Sequence, residues 1–380
     1  MGLMLSQDEE MVRQTAREFA EKRLKPLAEK FDEEEAIPRE LYAEAADLGF
    51  FGILIPEEFG GLGLDYTACI IVMEEIARVS AAFEVTLTVH NSLVSTALVN
   101  FCNEEQKKAW LPKLAKGEWI AAYSLSEQGS GSDAGSLRCA AAKEPDGWRL
   151  KGGKAWVSSA GIADFFIVFV STDPANGNKG ISCLAVTKGM EGMTLGKKEK
   201  KLGIRGSDTR EIHFAGTRVP AFHLIGEINQ GFKIAMTQLD GGRIGIAAQA
   251  VGIAQAAMEE AVSYAKTREQ FGKKLAEFQA TQFKLADMAV KVEAARLMTL
   301  KAARLMASGQ KATQAASMAK LLASQTANQV AYDALQIHGG NGYIREFPVE
   351  RYFRDARITE IYEGTSEIQR LVIAREILRG

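Results

Sequence analysis

Between Ser6 and Leu24 apolar residues recur at helical spacing, as Val12, Ala16, Phe19, Ala20 and Leu24, with charged side chains between them. That period predicts an amphipathic helix, and Ser6 with Glu9 predicts a capping box at its start. Pro38 opens a second helix that Gly49 ends. The turn-rich "PEEFGGLGLDY" separates it from an apolar helix around Cys69 to Ala77, and Asn103 caps a further one, "EEQKKAWLPKLAKG".

From about Ala121 to Gln230 the pattern changes. Short runs rich in Val, Ile, Phe and Trp, such as "ADFFIVFVSTD" and "GISCLAVTK", alternate with turns, and Asp146-Gly147 is a hairpin signal. After Gly231 the chain returns to long Ala-, Leu- and Met-rich helices, about 231–266, 278–307, 312–337 and one from 366. No proline interrupts it between Pro220 and Pro348, as a bundle requires. The expected fold is α+β in three parts: an N-terminal helical domain over 1–120, a middle β domain over 121–230 and a C-terminal four-helix bundle over 231–380.

Composition narrows the partners. A formal charge of -2 over 380 residues gives no field for nucleic acid or an anionic membrane. Cys69, Cys102, Cys139 and Cys183 lack metal-like spacing, the four histidines are dispersed, and no apolar run reaches 18 residues. The expectation is a cytoplasmic protein without a metal site or membrane insertion.

Chemistry-bearing residues gather in six segments. "YSLSEQGSGSDAGS" leads from a strand into a Gly/Ser loop whose amides suit phosphate, although no dinucleotide fingerprint is present. "KAWVSS" puts Trp156 at a strand end. "LDGGRIGIAA" places Asp240, Arg243 and two glycines in a helix; each glycine costs about 1 kcal/mol relative to Ala, so something must approach that backbone closely. "TREQFGKKLAEFQ" offers Arg268 in a Gly-punctuated turn, and "QIHGGNGY" ends a helix on more glycines than a cap needs. In "RITEIYEGTSEIQR" one carboxylate, Glu363, follows Ile361 and Tyr362. Thr365, Ser366 and Glu367 suit a helix start, and a cap alone would explain them; the alternative is a base in a dry pocket.

Together and in this order, these segments and "GFKIAMTQLDGGRIGIAAQAVGIAQAA" resemble the acyl-CoA dehydrogenase family over nearly the whole chain, most of all its short-chain (butyryl-CoA) members. The resemblance implies an FAD flavoprotein that oxidises the Cα–Cβ bond of an acyl-CoA to the trans-2-enoyl-CoA. Glu363 would remove the α-proton, flavin N5 would take the β-hydride, and an electron-transfer flavoprotein would receive the electrons. It also implies that Tyr123, Leu125, Ser126, Gly131 and Ser132 line the flavin, with Ser132 reaching the acyl-CoA, and that Trp156, Val157 and Ser158 cover the ring. Arg268, Phe271, Gln279, Gln336, Gly339 and Gly340 would hold FAD from a neighbouring subunit, and Thr365 and Glu367 its adenosine end. Asp240, Arg243, Tyr362 and Gly364 would meet the substrate. A homotetramer built as a dimer of dimers is expected.

Two relatives' patterns bear on the base. Some members carry theirs just before the arginine matched by Arg243; here that position is Gly242, so Glu363 is the expected base. Gln128 replaces the usual Pro of the flavin loop, which predicts a looser loop. His90 falls where relatives shape the acyl pocket; a core histidine is one reading. A polar pocket group is the other, and it keeps a branched or alicyclic acyl-CoA open beside the butyryl chain. His338 likewise reads as a core position or as a contact to adenosine. An oxidase and a non-enzymatic flavin- or acyl-CoA-binding scaffold are the remaining alternatives.

Overall fold

The computed structural model describes residues 5–379. Helix Gln7–Phe19 starts on a complete capping box, the Ser6 hydroxyl accepting from the Glu9 amide and the Glu9 carboxylate from the Ser6 amide. Asp65 caps Tyr66–Ala77 by accepting from the Thr67 and Ala68 amides at 2.8 and 3.0 Å. Asn103 and Gln106 exchange a capping box at Glu104–Ala115. Each cap satisfies amides that a helix start would otherwise strand. One departure from a plain helical reading matters later. Val89–Ser95 is wound as a π-helix, buried throughout, and carries His90 and Leu93 inward.

Eight strands form the sheet: β1 (Ala121–Ser124), β2 (Ala140–Glu144), β3 (Gly147–Ser158), β4 (Phe165–Ser171), β5 (Ile181–Thr187), β6 (Met193–Lys198), β7 (Thr209–Pro220) and β8 (Leu224–Ile225). Their order is β6-β7-β3-β2-β4-β5-β8, with β1 lying parallel to β4 outside that path. The continuous apolar run of β4 has a simple cause. Phe165, Ile167 and Phe169 join a core shared with the N-terminal helices, while Phe166, Val168 and Val170 join Trp148, Leu150 and Ile212 on the other face. With both faces covered, the strand has no polar side to show.

The C-terminal helices run over Gly231–Thr267, Gln279–Ala307, Thr313–His338 and Ser366–Arg379, with a short fifth, Val349–Ala356, before the last. The 37-residue helix Gly231–Thr267 is the spine; at 1.5 Å per residue it spans about 55 Å. Its alanines, among them Ala247, Ala250, Ala254 and Ala257, share one core with Phe19, Phe83 and Ile76 of the N-terminal helices. Small side chains allow this: a Cβ on Gly252 would sit 2.5 Å from the Glu74 carbonyl oxygen. The architecture is α+β, helical at both ends around a central sheet. Among the described residues no helix is long and apolar enough to cross a membrane.

Candidate active site

The chain leaves a 3-10 turn at Glu360 and enters its last helix at Ser366. Between them Glu363 takes φ +55° and Gly364 φ +91°. A left-handed conformation costs a non-glycine residue roughly 1 kcal/mol or more, and such positions gather at functional sites. Thr365 does cap the last helix, its hydroxyl accepting from the Ile368 amide at 3.4 Å. The cap does not account for Glu363. Its Oε2 is shielded from solvent and has no hydrogen-bond partner, although the residue as a whole is only half-buried. Burial raises the carboxyl to about 7, against the opposing pull of the Arg243 and Lys320 charges. Its backbone N–H finds no acceptor among the described residues.

The spine helix makes room for this carboxylate. A Cβ on Gly242 would lie 2.6 Å from Glu363 Oε2 and 2.8 Å from Leu93 Cδ2, so a side chain there would have to displace the carboxylate or the leucine. Gly241 meets the Tyr66 hydroxyl in the same way, and a Cβ on Gly245 would come within 2.6 Å of the Thr88 methyl. These are the close approaches that the helix glycines foretold. Arg243, buried, donates to Asp240 Oδ1 at 2.7 Å, and Thr313 donates to Asp240 Oδ2 at 2.6 Å. Tyr123 stands close enough for the Glu363 charge to add to burial in raising its phenol. Behind Tyr362 runs a buried polar chain: its hydroxyl donates to Gln249 Oε1, and Gln249 Nε2 donates to Glu84 Oε2 at 2.5 Å and to the Ala81 carbonyl at 3.1 Å. Thr88 donates to the other Glu84 oxygen.

The Gly/Ser loop is anchored at its start, at the residue before Gln128. Glu127 accepts from the Arg138 and Cys139 amides at 2.7 and 2.9 Å and from the Lys154 ammonium at 2.8 Å. Lys154 is itself fully buried and also donates to the Leu125 carbonyl at 3.1 Å. An ion pair with further hydrogen bonds at both ends thus fixes where the loop begins. The Ser126 carbonyl accepts from the Ala155 amide at 2.9 Å, bringing Tyr123–Ser126 beside Trp156–Ser158. Trp156 has φ +59° and is 57% exposed, so it is not a core residue. Gly129 and Gly131 face open space where a Cβ would be. A bare indole and a loop of glycines and short serines suit a flat aromatic ring with a phosphate tail, and the residues fit a flavin.

The other predicted cofactor residues lie elsewhere on the monomer. Arg268 precedes a two-stranded hairpin, Glu269–Gln270 with Lys273–Lys274, whose turn carries Phe271 at φ +53° and Gly272 at +75°. Phe271 is 95% exposed. Gln279, Gln336, Gly339, Gly340 and Glu367 are exposed too, and no hydrogen bond ties Arg268, Phe271 or Gln336 to the loop at Tyr123–Ser132. His90 and His338 settle into the core. His90 accepts from the Ala121 amide at 3.2 Å, meets Phe51 edge-on at 4.7 Å, and burial pushes it down to about 3. His338 stacks on Tyr264 at 4.2 Å and bonds the Ala334 carbonyl. Sequence reasoning passed over Gln249, Lys320, Gln369 and the Glu127–Lys154 pair. A lone polar residue in an apolar run, as in "IAAQAVG" and "SMAKLLAS", was the available sign.

Comparison with known proteins joins these parts. The chain matches the N-terminal domain of acyl-CoA dehydrogenases over residues 6–118, the middle domain over 122–217 and the C-terminal domain over 229–378. It is 50% identical over 376 residues to the human mitochondrial short-chain specific acyl-CoA dehydrogenase, covering 99% of this chain and 91% of that one. Its structure is similar to butyryl-CoA dehydrogenase of Megasphaera elsdenii, with TM-score 0.98, 42% identity and full coverage of both chains. A chain solved in work on the electron transferring flavoprotein of Acidaminococcus fermentans gives TM-score 0.99 and 44% identity, again with full coverage of both.

Proposed function

Because this chain belongs to the acyl-CoA dehydrogenase family and is an FAD-dependent oxidoreductase acting on an acyl-CoA, we propose that it α,β-dehydrogenates a short-chain acyl-CoA with Glu363 as the base. The observation that carries this reading is the shielded, unpartnered Oε2 of Glu363. A thioester α-proton is weakly acidic, and a solvated Glu, near 4.3, is a poor match for it. Burial against Leu93, Gly242 and Tyr362 narrows the gap from the enzyme's side by raising the carboxyl to about 7. The free Glu363 amide narrows it from the other side, since a donor at the thioester oxygen stabilises the developing enolate. FAD, when bound, supplies the two-electron oxidation.

Other residues bind and exclude water. Trp156 and the loop from Tyr123 to Ser132 offer the face for the flavin ring, and the Glu127–Lys154 pair keeps that face in place. Asp240 and Arg243, already paired, would meet the CoA portion. The Tyr362–Gln249–Glu84 chain closes the interior behind the base and favours a short acyl group. His90, bonded to the Ala121 amide and packed on Phe51, supports a straight acyl chain over a branched or alicyclic one. An electron-transfer flavoprotein as acceptor is supported by the Acidaminococcus likeness. The exposed Arg268, Phe271 and Gln336 support a homotetramer in which they reach a neighbour's FAD.

The test is anaerobic addition of butyryl-CoA to the FAD-loaded protein. Prompt loss of the visible flavin band is expected in the wild type. Glu363→Gln should retain FAD and bind acyl-CoA, yet reduce the flavin several orders of magnitude more slowly. Reduction within about tenfold of wild type would remove Glu363 from the role.

A further inference from the structure

The backbone that displays Glu363 is gripped by two side chains from different helices. Lys320, two turns into Thr313–His338, is fully buried and donates to the Gly364 carbonyl at 2.8 Å. Gln369, one turn into the last helix, is equally buried and donates to the Glu363 carbonyl at 3.1 Å and the Gly364 carbonyl at 2.9 Å. The fit is close: a Cβ on Gly364 would stand 2.7 Å from Gln369 Nε2. Two donors on adjacent carbonyls fix both peptide planes, and with them the left-handed turn.

The choice of lysine needs a reason. Its neighbours along the helix, Ala316, Ser317, Ala319, Ala323 and Ser324, are all buried and uncharged, and among the described residues it forms no direct ion pair. A neutral donor would grip a carbonyl at far lower desolvation cost. The charged groups around the ammonium are Glu363 and Glu360 in the loop, Glu367 at the head of the last helix, and Arg243 on the spine helix. Of these, Glu363 exerts the largest pull on it, and no direct bond joins the two.

We infer that Lys320 and Gln369 are positioning residues for the base, a clamp that aims the Glu363 carboxylate at Gly242, with the Lys320 charge adding to that of Arg243 in favouring its ionised form. The inference rests on Glu363 being the base. Burial lowers Lys320 to about 8, above the value of about 7 for Glu363, so the ammonium is charged through the lower half of the range where Glu363 titrates.

The experiment is the pH dependence of flavin reduction by butyryl-CoA in FAD-loaded wild type, Lys320→Met, Lys320→Gln, Lys320→Arg and Gln369→Leu. Loss of a nearby positive charge raises a carboxyl's pKa, so both neutral Lys320 variants should move the acid limb up by about one unit. They would then be roughly tenfold slower at pH 6 and converge on wild type as pH rises. Lys320→Arg should keep the limb where wild type has it. Gln369→Leu removes a grip and no charge, and should lower the rate at every pH without moving the limb. An unmoved limb in either folded neutral variant overturns the inference; where Lys320→Met does not fold, Lys320→Gln decides. Glu363→Gln run alongside separates the levels. Activity there would sink the base itself, whereas a dead Glu363→Gln beside unmoved Lys320 limbs would sink only the clamp's electrostatic role.

Discussion

Gly242 and Glu363, 121 positions apart in the chain, share one small volume: the space a Gly242 methyl would fill lies 2.6 Å from the carboxylate oxygen that has no partner. A glycine in a buried helix and a glutamate on a strained turn are two halves of one solution. The helix gives up a side chain so that the base can sit against its backbone, out of water.

Gly242→Ala should therefore disable the enzyme without unfolding it. The new methyl must push either Glu363 or Leu93 away, and a misplaced base costs on the order of 100-fold in rate. Flavin reduction by butyryl-CoA measures this, with FAD content as the control. A rate near wild type would mean that the turn relaxes freely.

Activity should rise with pH through about 7, because only ionised Glu363 can accept a proton and burial holds its carboxyl there. An ordinary glutamate would put the same limb near 4.3. Single-turnover flavin reduction between pH 5 and 9 distinguishes the two positions.

Glu84 predicts a stability effect away from the chemistry. Fully buried with only Thr88 and Gln249 as partners, its carboxyl is pushed up to about 8. The folded form thus holds a proton that the unfolded chain releases near 4.3, so stability falls as pH rises from that value to about 8. Glu84→Gln should flatten that decline in melting temperature. The two proteins should match near pH 4, and the variant should be the more stable at pH 8.

Lys154→Met should do the reverse of a harmless surface change. Glu127 would keep its amide donors and lose its only cation, and stranding one half of a buried pair typically costs about 3–5 kcal/mol. Lower denaturant midpoints and weaker FAD retention are expected. Replacing Glu127 with Gln in the same protein should recover much of the loss; no recovery would show that the pair does not act as a unit.

Phe271→Asp tests assembly. An aromatic held at φ +53° and 95% exposed pays twice for its position on a monomer. If a neighbouring subunit covers it, the variant should elute as smaller species and lose FAD, while the monomer fold by circular dichroism stays intact.

The helix starts, the two-faced strand at Phe165–Val170 and the segments around Glu363 were readable because each rests on local pattern: caps, period and glycine placement. Lys154, Lys320 and Gln249 were not, since a buried polar residue gains meaning only from a partner distant in sequence, such as Glu127, Gly364 or Glu84. The anchor beside Gln128 was hidden for the same reason: the sequence shows a missing proline at one position, and the ion pair next to it spans 27. His90 shows the converse, a polar residue in a suggestive segment whose π-helical turn carries it into the core.

The core that unites Phe19, Phe83 and the alanines of the spine helix has a kinetic consequence. Those residues are separated by the whole sheet region, so the core closes only after more than a hundred intervening residues have been gathered. Closing such a long loop is entropically costly, and folding that depends on it is slow. During synthesis the N-terminal helices must wait with their apolar faces uncovered until the spine helix emerges. A chain halted before Gly231 would keep those faces bare, and it should be captured by chaperones or proteases rather than persist as a folded fragment.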